Sequence, residues 1–114
     1  MGWMVGLTRN SVAQFIQVAT VDQVPAGERK LVWVDEEPAV LLNVEGEFFC
    51  IADVCSHDGG PLGEGELIDH QIECPRHGAL FDIRTGEALT LPATAPTAVY
   101  HVRVEGDRIL VAPA

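Results

Sequence analysis

The stretches Asp53-Val54-Cys55-Ser56-His57-Asp58-Gly59-Gly60-Pro61-Leu62 and Ile72-Glu73-Cys74-Pro75-Arg76-His77-Gly78-Ala79-Leu80-Phe81-Asp82 decide how this chain is read. Each carries one thiol and one imidazole, as Cys55-x-His57 and Cys74-x-x-His77, and sixteen residues separate His57 from Cys74. These spacings put Cys and His a few residues apart on tight turns. Glycines follow both pairs, at Gly59, Gly60 and Gly78, where a backbone at positive φ and a close approach are expected. Together the turns offer a two-Cys, two-His ligand set from two loops.

Two metal groups use such a set. Zinc takes two Cys and two His in a tetrahedron. A 2Fe-2S cluster can take two thiolates on one iron and two imidazoles on the other. Zinc fingers pair Cys with Cys and His with His across a longer gap. The mixed pairs here favour the iron–sulfur cluster, with a structural zinc site as the remaining alternative.

The two stretches resemble the cluster-binding loops of Rieske ferredoxins. Thr85-Gly86-Glu87-Ala88-Leu89 and Leu91-Pro92-Ala93 resemble the hairpin and proline loop that follow in that family. The resemblance runs from about Phe15 to Val111. It implies one Rieske-type 2Fe-2S cluster with Cys55 and Cys74 on one iron and His57 and His77 on the other. It also implies a Rieske-type antiparallel β sandwich or barrel, with a small cluster-binding subdomain made of the two loops. The implied function is a soluble one-electron carrier, not itself an enzyme, working from a reductase to a terminal oxygenase or related redox enzyme. The alternative within the family is a small subunit fixed in a nitrite reductase-like complex. About 40 residues follow the second loop, so a mononuclear-iron oxygenase domain is not expected.

High-potential members of the family carry an extra cysteine in each loop, forming a disulfide. The matching positions here are Gly60 and Arg76. They also place a serine and a tyrosine after the second motif, where Ala79 and Phe81 stand here. Hydroxyl donors to sulfur stabilise the more negative reduced cluster, so their absence lowers the potential. The resemblance is therefore to the low-potential, oxygenase-associated ferredoxins. The imidazole edges of His57 and His77 are expected at the surface, with the Pro92 segment as a lid.

The rest of the sequence agrees. The chain has 114 residues, 47% of them hydrophobic, enough for one packed domain. Residues 12–114 are expected to form it, after a flexible leader at 1–11. No apolar run approaches the roughly 20 residues that span a bilayer, and no basic region precedes the short apolar N-terminus. Three cysteines are too few for a disulfide framework, and a reduced cytoplasm suits them. Cys50 is expected in the core, as is Trp33. Net charge is −10, from 17 acidic and 7 basic residues. Nucleic acid, which needs a basic face, is not expected as a partner; the acidity fits either simple solubility or steering toward a basic docking face on a reductase or oxygenase. A monomer is expected.

Strands are expected over Gln14–Ala19, Lys30–Val34, Ala39–Val44, Glu47–Ala52, Glu66–Ile68, Gln71–Cys74, Leu80–Ile83, Ala98–Val104 and Arg108–Ala112. One helical turn is expected at Val21–Val24. No segment sustains a 3.6-residue apolar period, and short strands with regular turn signals define an all-β chain. His70 is expected in a turn and His101 on a strand surface, neither as a ligand.

Overall fold

The computed structural model describes residues 14–56 and 59–114. The expected leader, His57 and Asp58 lie outside the described residues. The elements are β1 (Ile16–Thr20), a 3-10 turn (Val21–Gln23), β2 (Arg29–Val34), β3 (Glu37–Val44), β4 (Glu47–Ala52), β5 (Leu67–Ile68), β6 (Gln71–Glu73), β7 (Leu80–Asp82), β8 (Val99–Glu105) and β9 (Arg108–Pro113). Every strand expected from the sequence is present, with ends displaced by two residues at most.

Six strands form an antiparallel sheet in the order β1-β9-β8-β4-β3-β2, and β5-β6-β7 form a separate sheet of three. The ends of the large sheet, β1 and β2, lie against each other, so it curls nearly closed. Left-handed turns suit the right-handed twist of hairpins. Between β2 and β3, Asp35 and Glu36 have φ of 50° and 72°; between β3 and β4, Glu45 and Gly46 have φ of 55° and 95°. The second turn is braced by Asn43, whose Oδ1 accepts the Gly46 N–H at 2.7 Å and whose Nδ2 donates to the Val24 carbonyl at 2.8 Å.

Strands β3 and β4 serve two cores, because successive side chains leave opposite faces. Leu41 and Cys50 stand opposite each other and point into the curled sheet, with Val32, Val34, Ile109 and Val111. Val40 with Ile51, and Leu42 with Phe49, point the other way, against Cys55, Leu62, Ile72, Cys74, Phe81 and Ile83. This two-sided wall mounts the small sheet and its loops on the barrel. Full burial of each Leu, Ile or Phe in these cores contributes roughly 1.5–3 kcal/mol.

Cys50 is buried as expected, and burial pushes its thiol up to about 12. Burial disfavours the thiolate there, and the side chain packs as part of the barrel core. Trp33 is different: it is 61% exposed, not core. Val32 and Val34 take the inward phase of β2, so Leu31 and Trp33 face out on the terminal strand of the sheet.

Candidate metal centre

The two motif loops fold into matching turns. In the first, the Cys55 N–H donates to the Gly60 carbonyl and the Gly59 N–H donates back to the Cys55 carbonyl, both at 2.7 Å. In the second, the Cys74 N–H donates to Ala79 at 2.7 Å and the Gly78 N–H to Cys74 at 2.9 Å. In each, the bonds join Cys to the residues four and five positions on. Gly59 and Gly78 have φ of 78° and 79°, which a side chain resists. Among the described residues of the first loop the positive φ falls on Gly59 and not on Gly60.

The loops meet because their approaches touch. Gly65, leaving the first loop, lies against the Glu73 carbonyl, one residue before Cys74; a Cβ on Gly65 would stand 1.6 Å from that oxygen. Arg29 of β2 braces the same exit, donating from Nη1 to the carbonyls of Gly63, at 2.8 Å, and Gly65. The Asp53 carboxylate accepts the N–H groups of Leu62 at 2.8 Å and Gly63 at 2.6 Å.

A strap over residues 89–97 ties down both loops. Beside the second, the Leu89 N–H donates to the Leu80 carbonyl at 2.7 Å, and the Leu80 N–H to Thr90 Oγ1 at 2.9 Å. Beside the first, Thr97 Oγ1 donates to the Val54 carbonyl at 2.8 Å, and the Ser56 hydroxyl donates to Ala95. The residue the strap inserts is Ala93, 4% exposed and packed in the cluster that holds Cys55 and Cys74. Pro92, in the same expected lid segment, is exposed, and Leu91 beside it is 77% exposed.

The structure brings Cys55 and Cys74 into one apolar cluster, 0% and 1% exposed, with Leu62, Ala79, Phe81 and Ala93. No described cysteine is in a disulfide. Ala79 and Phe81 are fully buried and bring no hydroxyl to that cluster. His77 and Arg76 are exposed. The donor set thus divides into buried sulfur and a surface imidazole. That division fits a two-metal group with a thiolate end inside and an imidazole end outside better than a single zinc ion. His70 lies in the β5–β6 turn with its ring edge-on to Phe49, centroids 5.4 Å apart, and His101 is exposed on β8. The straps made by Thr97, Ser56 and Thr90 carry no local sequence signal, so sequence reasoning misses them.

A nearly closed antiparallel barrel carrying a small sheet, with two matched Cys-turns at its tip, defines an iron–sulfur domain. The chain belongs to the Rieske [2Fe-2S] domain family, whose model matches residues 14–101; its cofactor is accordingly a 2Fe-2S cluster. Within the family it is similar to ferredoxins of dioxygenase systems. It is 45% identical over 98 residues to the 3-phenylpropionate/cinnamic acid dioxygenase ferredoxin subunit of Escherichia coli K12, covering 84% of this chain and 91% of that one. The ferredoxin of carbazole 1,9a-dioxygenase from Nocardioides aromaticivorans IC177 superposes with a TM-score of 0.83 at 35% identity, covering 89% of this chain and 99% of that one. A chain in the complex of reduced oxygenase and oxidized ferredoxin of carbazole 1,9a-dioxygenase superposes with a TM-score of 0.79 at 31% identity, covering 86% and 92%. Among the described residues no helix is long and apolar enough to cross a membrane.

Proposed function

We propose that this protein is the ferredoxin of a dioxygenase system, a cytoplasmic, monomeric carrier that takes one electron from a reductase and delivers it to a terminal oxygenase. The observation that carries this reading is similarity to dioxygenase ferredoxins over nine-tenths or more of their length. The same extent favours a carrier over a subunit fixed within a larger enzyme. The ligands are Cys55 and Cys74 on one iron, and His57 and His77 on the other. The cluster, when bound, accepts and releases a single electron. The chain's own residues do the rest. Leu62, Ala79, Phe81 and Ala93 keep water from the sulfur end. Exposed His77 presents its ring to a partner, and a metal-bound imidazole keeps one N–H for a hydrogen bond.

The test is stopped-flow reoxidation of the reduced protein by its oxygenase across a salt series. The chain's net charge of −10 steers it to a basic docking face. The association rate is expected to fall roughly tenfold as the Debye length shrinks from about 30 Å to about 3 Å. Failure to reduce any oxygenase, or a rate that ignores salt, overturns the reading.

The potential is a second test. With Ala79 and Phe81 bringing no hydroxyl, the midpoint is expected near the bottom of the Rieske range, about −150 mV. Ala79→Ser, which adds a donor inside the cysteine cluster, raises it. Protein-film voltammetry reads both values. A wild-type midpoint well above about 0 mV contradicts the reading of these positions.

A further inference from the structure

The two Cys-turns match, but the frames that hold them do not. The second turn leaves β6 and returns as β7, and those strands pair Glu73 directly with Leu80 at the base of the loop. The first turn follows β4, which ends at Ala52, and the described residues after it form no strand until Leu67. In place of a ladder it has side chains: the Asp53 carboxylate on Leu62 and Gly63, Ser56 on Ala95, and Thr97 on Val54. Thr97 is one of two buried polar side chains among the described residues; the other, Asn43, serves a turn far from the loops. Its backbone is fixed independently, by its N–H to the Gly86 carbonyl at 2.8 Å and by the Ala52 N–H to the Ala98 carbonyl at 2.9 Å. Gly86 is tight against it: a Cβ there would stand 2.1 Å from the Thr97 carbonyl oxygen.

From this anchored position the hydroxyl reaches one target, the carbonyl of the Val54–Cys55 peptide. The N–H of the same peptide is bonded to Gly60. Both polar ends of the unit that carries the Cys55 Cα are thus held. A valine at 97 keeps the branched shape and loses the bond, so it separates the hydroxyl's contribution from that of packing.

We propose that Thr97 is a positioning residue for Cys55: its hydroxyl fixes the Val54–Cys55 peptide and so sets the direction of the first-loop thiolate, as the β6–β7 ladder does for Cys74. The proposal rests on the reading of Cys55 as a ligand. Thr97→Val and Thr97→Ser holoproteins are compared with wild type by hydrogen–deuterium exchange of peptides from each loop, by the reduced-state EPR spectrum and by midpoint potential. Thr97→Val is expected to speed exchange in the first loop roughly fivefold, the scale of one lost hydrogen bond. The second loop stays unchanged, while the EPR spectrum and the potential both shift. Thr97→Ser, which keeps the hydroxyl, restores all three. Equal acceleration in both loops, no acceleration, or faster exchange with spectrum and potential unmoved each overturns the proposal. If Thr97→Val does not fold, Thr97→Ser decides: departure from wild type in first-loop exchange or in potential overturns it, and retention supports it. Loop exchange is read whether or not Cys55 binds iron, and the iron content of Cys55→Ala tests that separately.

Discussion

Cys55→Ala and Cys74→Ala are each expected to reduce the iron and acid-labile sulfide of the purified protein from two of each per chain to essentially none, and to abolish its visible absorption. The two thiols are buried in one apolar cluster whose other members carry no side-chain donor to replace a lost sulfur ligand. One thiolate and two imidazoles leave an iron open and the cluster's charge uncompensated. The loss extends to stability, because a metal group that binds only the folded chain contributes its binding energy to folding. Thermal unfolding of either variant is expected to begin well below that of the holoprotein, with the matched turns and the 89–97 strap released first. Cys50→Ala supplies the contrast. Its side chain belongs to the barrel core on the other face of β4, so that variant keeps its full iron and sulfide. A Cys55 or Cys74 variant that retained two irons and two sulfides would refute the ligand assignment.

Gly65→Ala is expected to be strongly destabilising, because it makes the deepest backbone clash found at the described glycines. The new Cβ would lie 1.6 Å from the Glu73 carbonyl oxygen, 2.8 Å from its carbon and 3.2 Å from the Leu62 oxygen, all of them backbone. No rotamer relieves such a contact, so the exit of the first loop must move away from the entry to the second. Overpacking ordinarily costs about 1–3 kcal/mol, and a backbone clash of this depth lies at or beyond the upper end. For a domain of this size about 3 kcal/mol corresponds to an apparent Tm lower by roughly 12 °C or more. Gly63→Ala ranks below it, since its Cβ would meet the Val40 and Asp53 side chains at 3.0 and 3.1 Å, and side chains can give. Differential scanning calorimetry of the two holoproteins checks the order. A Gly65→Ala protein as stable as Gly63→Ala would mean that the two loops are not held together by this contact.

What the sequence by itself determined is what short-range chemistry encodes. The Cys-x-His and Cys-x-x-His pairs, the glycines after them and the turn dipeptides Glu45-Gly46 and Thr85-Gly86 act within a few residues. So do the β-branched runs that form β2, β3 and β4. The candidate ligands and the positions of the strands are therefore legible in the chain's local chemistry. Facing is not. Leu31-Val32-Trp33-Val34 is apolar throughout, so its period of two has no visible phase. Only pairing of β2 with β3 at the sheet's end turns Val32 and Val34 inward and leaves Trp33 in solvent. The same holds for the lid, whose conspicuous proline is exposed while plain Ala93 fills the cluster. Thr97 meets Val54 across 43 residues, Ser56 meets Ala95 across 39, and Gly65 lies against Glu73. These contacts exist only after both cores have packed on the two faces of β3 and β4. Tertiary structure alone decided how the first loop is held, because a loop without a ladder must take its partners from distant parts of the chain.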